Sequence, residues 1–153
     1  MLPRNAWNPE FELQNCLANV ELDLEFFRSI IPRACREISA ADPGPGDSLI
    51  PSLSHLEIAI LDDPEIARIH QEQMNDGSPT DVITFHHGEL LISADTARRE
   101  AGARKWPTER ELLLYLIHGM LHLHGYNDME TADRDAMHRL QESILERLWP
   151  LHP

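Results

Sequence analysis

The sequence is poor in lysine and in positive charge. Lys105 is its only lysine, and 26 acidic residues against 13 basic ones leave a formal net charge of -13. Non-specific binding to nucleic acid rests on Lys and Arg contacts to phosphate and on counterion release. This charge balance argues against generic nucleic-acid affinity, and we expect no binding to DNA. One basic cluster is typical either of a phosphate-binding patch or of a solvated helix face, and it comprises Arg98, Arg99, Arg104, Lys105 and Arg110.

Cysteines and long apolar runs are also scarce. Cys16 and Cys35 lack the C-x-x-C spacing, and we expect both thiols to be buried and reduced rather than bridged. The longest apolar stretch, 112–123, is interrupted by two histidines and is too short to span a bilayer. The first ten residues, MLPRNAWNPE, lack the apolar segment of a secretory signal. These absences predict a cytoplasmic protein without a membrane partner.

The remaining pattern predicts one α+β domain over residues 1–153. Alternating or β-branched segments predict four strands, at 10–16, 53–61, 81–85 and 89–93, the last two joined as a hairpin. Helical periodicity predicts five helices, at 22–38, 64–73, 94–105, 108–125 and 131–148, with Pro32 as a kink or a boundary of the first. We therefore expect a small mixed four-stranded sheet packed with about five helices.

Two helix details carry specific predictions. A capping box at Thr108–Glu111 opens the fourth helix, which is apolar on nearly every side and should be buried. The fifth helix should bury one apolar stripe, formed by Ala132, Ala136, Leu140, Ile144 and Leu148. A loop rich in proline and glycine, ADPGPGDS, occupies residues 41–48.

The fourth helix has a single polar seam. At 100° per residue, Glu111, Tyr115, His118 and His122 fall within one narrow stripe, so the two imidazoles face the same point. Two unpaired buried imidazoles are costly, and a divalent metal is a partner that binds neutral nitrogen donors. The H-x-x-x-H spacing alone also describes surface histidines and hydrogen-bonded core histidines.

The residues after His122 favour a metal site over these alternatives. His124 lies about 200° round the helix from His122 and is a poor third ligand. Gly125 can adopt the left-handed conformation that ends a helix and turns the chain back. Asp128 is then the best-placed third ligand, with Asn127 and Glu130 as weaker alternatives. The predicted metal ligands are therefore His118, His122 and Asp128.

Three protein ligands that leave a fourth position to water are typical of a catalytic zinc. Such a site favours hydrolysis, with one Zn2+ per chain that acidifies water and polarises a carbonyl or phosphoryl oxygen. Helical zinc peptidases carry a glutamate directly after the first histidine, where this chain has Gly119. An ordinary zinc peptidase is disfavoured, and the general base is not identified.

The stretch HGMLHLHGYND resembles the signature of the YbeY family of bacterial rRNA maturation factors, which are metallo-endoribonucleases specific for single strands. That signature reads His-Gly-x-Leu-His-Leu-x-Gly-Tyr-Asp-His, and seven of its nine fixed positions are matched, by His118, Gly119, Leu121, His122, Leu123, Gly125 and Tyr126. A second family block, Pro-Thr-(Asp/Asn)-Val-Leu-Ser-Phe, is matched by Pro79, Thr80, Asp81, Val82 and Phe85. The element order also fits the family from about residue 10 to 148.

The resemblance implies a function and a ligand set. The three signature histidines of the family bind zinc, and they fall on His118, His122 and Asp128 here. The implied activity is zinc-dependent endonucleolytic cleavage of RNA in rRNA maturation, at the 16S rRNA 3' end, and in ribosome quality control, with rRNA and the small ribosomal subunit as partners. A family arginine thought to engage RNA phosphate falls near Met74. The alternative is a non-catalytic ribosome-assembly factor with a structural or vestigial metal site.

Other residues near these motifs have two interpretations each. Asp81 is either a base or metal-supporting residue, or the cap of a turn. His86 and His87 either contact substrate or belong to a polar hairpin turn. Tyr115 either binds substrate or is a core tyrosine with a satisfied hydroxyl. Glu111 lies two turns below His118 and is too far away to be a ligand, and His138 should face solvent.

Overall fold

The described part of the chain folds into four strands and five α-helices. The computed structural model describes residues 6–17, 22–75, 77 and 80–149. Its strands are β1 (Glu10–Asn15), β2 (His55–Leu61), β3 (Val82–Phe85) and β4 (Glu89–Ser93). Its helices are α1 (Leu24–Ala40), α2 (Asp63–Met74), α3 (Ala94–Arg104), α4 (Thr108–Leu123) and α5 (Thr131–Leu148), with a 3₁₀ turn at Ile50–Ser52. The predicted α+β class is confirmed.

The four strands form one mixed sheet in the order β1-β2-β4-β3. β1 pairs with β2 and β2 with β4 in parallel, whereas β3 and β4 form the predicted antiparallel hairpin. β1 is an edge strand, and its outward side chains include the exposed Glu10 and Glu12. Register places Glu12 beside Glu57, and Glu57 beside Glu89.

α4 is the central helix of the fold. It contacts β3 and β4 on one side and α1, α3 and α5 on the others, which explains why it is apolar nearly all round. Gly119 permits the close approach to the sheet, because a Cβ there would lie 2.8 Å from Cδ2 of Leu90. None of the helices within the described residues is long and apolar enough to cross a bilayer.

Several local predictions are wrong. The capping box at Thr108–Glu111 does not form, because the helix is preceded by Pro107 without a side-chain cap and Glu111 is engaged by Arg104 and Trp106. Of the two alternatives for Pro32, the structure excludes the boundary, since α1 continues through this residue. Cys16 is exposed, although neither cysteine is bridged.

The buried face of α5 also differs from the predicted stripe. Ala132 is exposed, while Ala136 and Leu140 are only half-buried. The helix instead turns Met137, Gln141, Ile144, Leu145 and Leu148 into the core. A polar residue, Gln141, therefore lies on the buried face of the helix.

Candidate metal centre

α4 places two imidazoles against each other. Nε2 of His118 and Nε2 of His122 lie 3.1 Å apart, one helical turn from each other. The two side chains are largely buried, with 17% and 27% of their surface exposed. The structure thus brings the predicted pair together as the helical spacing requires.

The hydrogen bonds of the two rings define which nitrogens carry protons. Nδ1 of His122 lies 3.0 Å from the main-chain oxygen of Tyr126, and because a carbonyl oxygen only accepts, Nδ1 is the donor. Nδ1 of His118 lies 2.7 Å from Oε1 of Gln141, which is likewise an acceptor. In the neutral rings both Nε2 atoms therefore carry lone pairs, and these two atoms lie only 3.1 Å apart.

Nitrogen lone pairs at this distance repel each other unless a cation lies between them. Burial, and after it the neighbouring His118, lowers the pKa of His122 below its usual value. Protonation of His122 is therefore disfavoured at neutral pH. The pair is suited to a metal ion that accepts two neutral nitrogen donors.

Asp128 completes a triangle of donor atoms. Gly125 has φ +92°, and the main-chain N–H of Tyr126 donates to Leu121 O, so the chain reverses after α4. Oδ2 of Asp128 consequently lies 3.7 Å from Nε2 of His118 and 3.9 Å from Nε2 of His122. The point equidistant from these three atoms is about 2.1 Å from each, which matches zinc–ligand distances of about 2.0 to 2.2 Å.

The weaker ligand candidates do not join this triangle. His124 points elsewhere: its Nε2 donates to Ala41 O and its Nδ1 accepts from Oγ of Ser48, each at 2.8 Å. Asn127 accepts from the main-chain N–H of Met129 through its side-chain oxygen. Glu130 precedes α5 as its N-cap residue. Among these candidates, only Asp128 joins His118 and His122 within metal-binding distance.

The histidine pair lies between two grooves. One has a volume of about 570 Å³ and is lined by His118, Asp81, Arg99, Arg104 and Gln141, among others. The other has a volume of about 400 Å³ and is lined by residues that include His122, Met74, His70, His86 and Asn127. Thr80 lines both grooves, so they are adjacent, and each includes one of the two histidines in its lining. A larger cavity of about 950 Å³ around Trp7 and Leu53 contains none of the three candidate ligands.

The seam below the histidines is a closed polar network. Glu111 is fully buried and accepts hydrogen bonds from Arg104 at 2.9 Å and from Nε1 of Trp106 at 2.8 Å. Tyr115 is buried beside it, and burial together with the charge of Glu111 raises the pKa of Tyr115 well above its usual range. Tyr115 is thus a buried core tyrosine whose hydroxyl stays protonated at neutral pH.

The remaining predicted residues lie around the grooves. Oδ1 of Asp81 accepts from the main-chain N–H of Val82 at 2.8 Å, as a turn cap does, and Asp81 also lines the groove beside His118. His86 lines the groove beside His122, whereas His87 stacks on Phe85 and pairs with Glu89. His138 is exposed, as predicted. Pro79 lies outside the described residues.

Sequence reasoning missed Gln141. It lies 23 residues from His118 in the sequence, so no local spacing connects them. The one available signal is its position on the stripe that contains Met137, Ile144 and Leu148, where an apolar residue is expected.

The chain is similar to known proteins in both sequence and fold. The family described as "Endoribonuclease YbeY" matches residues 14–149. A protein of that name from Sinorhizobium medicae is 30% identical, with 93% of this chain and 84% of the relative aligned. Another from Thermus thermophilus is also 30% identical, over 77% of this chain and 91% of the relative. The solution structure of TM1509 from Thermotoga maritima has a TM-score of 0.62 at 22% identity, over 91% of this chain and 89% of that one, which shows a shared fold.

Proposed function

The chain belongs to the YbeY family of endoribonucleases, and on that premise we propose that it cleaves single-stranded RNA at a zinc site formed by His118, His122 and Asp128. The observation that carries this proposal is the pair of facing Nε2 atoms, 3.1 Å apart, with both Nδ1 atoms engaged elsewhere. A cation between the two nitrogens would stabilise such a pair, and the nearby carboxylate of Asp128 supports its binding.

The chemistry of these donors fits phosphodiester hydrolysis. The two imidazoles and the carboxylate would hold a zinc ion, which when bound would supply a Lewis acid for a phosphoryl oxygen and lower the pKa of water. Gln141 and the Tyr126 carbonyl keep the two rings in the tautomer that presents Nε2. Asp128 is 46% exposed at its side chain, so the third donor lies on the side that a substrate can approach. Position 119, where helical zinc peptidases carry the basic glutamate, faces β3 and β4 and not the histidine pair, so a side chain there could not act as the base.

The two grooves support an endonucleolytic reaction. His118 lines one groove and His122 lines the other, so a strand lying across the pair would extend into a groove on each side. An enzyme that cuts within a strand needs room for nucleotides on both sides of the cut. We propose rRNA as the substrate, the 16S rRNA 3' end as the cleavage site, and the small ribosomal subunit as the cytoplasmic partner, in rRNA maturation and ribosome quality control.

One observation favours a second candidate, a ribosome-assembly factor without strand cleavage. The family arginine falls near Met74, which is 53% exposed in the groove beside His122. The described residues that line this groove include no Lys or Arg. A phosphate there would lack the cation that the resemblance leads one to expect.

The test of the first candidate combines metal content with RNA cleavage. Wild type should hold about one zinc per chain by elemental analysis and should cut a labelled single-stranded RNA internally. His122→Ala and Asp128→Ala should lose both properties while remaining folded by circular dichroism. His87→Ala is the matched control, because His87 is exposed and pairs with Glu89 away from the site.

Two outcomes would contradict the proposal. Cleavage that persists in metal-free protein would exclude a metal-dependent reaction. Zinc bound at one per chain without any cleavage by protein cleared of contaminating nuclease would favour the assembly factor.

A further inference from the structure

We infer that the loop 41–49, here called the strap, positions the metal ligands, and that Gly44, His124 and Tyr126 are positioning residues for the site. The inference rests on the proposed function, since it concerns how the same site is held. It assigns a role to a segment that composition alone identifies only as a linker between α1 and β2.

The strap satisfies the carbonyl groups at the end of α4. Main-chain N–H groups of Gly44, Gly46 and Leu49 donate to His124 O, Gly125 O and Leu123 O, at 3.0, 2.8 and 2.8 Å. The last carbonyls of a helix have no partner within the helix and must find one elsewhere. The strap therefore fixes the turn that leads from His122 to Asp128.

Glycine is required where the two backbones meet. A Cβ on Gly44 would lie 2.5 Å from Gly125 O and 2.6 Å from the main-chain nitrogen of Tyr126. Both neighbours are backbone atoms, so neither can rotate away. The glycines of ADPGPGDS thus allow the strap to lie directly against the turn.

Two side chains from the turn reach back to the strap. His124 is buried and bridges the strap by donating to Ala41 O and accepting from Oγ of Ser48. The hydroxyl of Tyr126 donates to Asp42 O at 2.7 Å. The strap is therefore held at its beginning and near its end by residues of the turn.

Tyr126 links the strap to the metal ligands, because it contacts both. Its carbonyl oxygen accepts the Nδ1–H of His122, so the position of Tyr126 sets the orientation of that ring. Asp128 follows two residues later on the same turn. A displaced strap should move the Tyr126 carbonyl and Asp128 together, and should leave His118, which is oriented by Gln141, in place.

The experiment compares Gly44→Ala and Tyr126→Phe with wild type. Zinc affinity is measured by competition with a chelator, and the visible absorption of the Co2+-substituted protein reports the geometry of the ligands. We expect Gly44→Ala to bind zinc about tenfold more weakly, in the range of residues that support metal ligands. Tyr126→Phe should shift zinc affinity in the same direction by a smaller factor, and both should change the cobalt spectrum.

Gly102→Ala is the matched control, because a Cβ there meets nothing within 4 Å. It should leave affinity and spectrum unchanged. Thermal melts in chelator show whether each variant is folded, and Tyr126→Phe keeps the test valid if Gly44→Ala does not fold. A folded Tyr126→Phe protein with wild-type affinity and spectrum would overturn the inference alone. Wild type that binds neither zinc nor cobalt would overturn the proposed function and this inference together.

Discussion

Gln141 is buried on α5, and Oε1 of its side chain lies 2.7 Å from Nδ1 of His118. A histidine that binds metal through Nε2 needs an acceptor at Nδ1, because the acceptor fixes the tautomer and the ring orientation. Gln141 supplies this acceptor to His118, and the main-chain oxygen of Tyr126 supplies it to His122. One ligand thus depends on a side chain, which mutation can remove without disturbing the backbone.

We predict that Gln141→Leu weakens zinc binding by about 10- to 100-fold, because His118 loses its acceptor. Gln141→Glu keeps an acceptor oxygen at the same position and should retain tight binding. Titration against a chelator measures both variants, with Glu146→Ala as a control on the exposed face of the same helix. Equal affinities for the leucine and glutamate variants would contradict a positioning role.

For individual residues, the sequence predicts contacts between positions that are near each other along the chain. His118 and His122 share a face by helical geometry, and Gly125 makes the return of Asp128 predictable. Gln141 is brought to the site by the packing of α5 on α4, which no spacing within the motif encodes.

Among the helices and strands, too, the sequence predicts the local features and not the long-range ones. The bounds of α5 agree with the periodicity, and the β3–β4 hairpin follows from its short turn. The order β1-β2-β4-β3 joins strands that are distant along the chain, and local propensity does not specify it. The capping box failed for a related reason: Arg104 and Trp106, outside the helix, compete for Glu111 and hold it.

Helix α4 offers a direct test of close packing. Gly119→Ala places a Cβ 2.8 Å from Leu90 and 3.2 Å from Thr84, in a fully packed region. We expect it to lower the free energy of unfolding by about 1–3 kcal/mol through overpacking. Gly102→Ala, in α3, should instead raise it by about 0.5–1 kcal/mol because alanine favours the helix. Urea unfolding measures the free energy of unfolding of both variants. A higher value for Gly119→Ala than for wild type would contradict the prediction and show that Leu90 repacks without cost.

For the whole molecule, net charge and local charge have separate consequences. The chain carries a formal charge of -13, yet the described residues lining the groove beside His122 include no Asp or Glu. A strand of phosphates is repelled by the molecule as a whole, and the lining of this groove adds no carboxylate to that repulsion. Adding one positive charge at different places can separate the two effects.

Met74→Arg adds a cation inside that groove, and Gln14→Arg adds the same charge on the exposed edge strand. We predict that Met74→Arg binds single-stranded RNA more tightly and steepens the salt dependence of log K by about 0.7, the value for one phosphate contact. Gln14→Arg should change both quantities much less. Fluorescence anisotropy over a salt series measures them, and identical effects of the two variants would mean that only net charge matters.

The edge strand β1 presents unpaired main-chain N–H and C=O groups, which can recruit a strand from another molecule. Its outward positions carry Glu10 and Glu12, and the neighbouring strands add Glu57 and Glu89. A second copy approaching this edge would bring its own carboxylates against them. Like-charge repulsion between the two rows of glutamates therefore opposes strand-to-strand pairing at this edge.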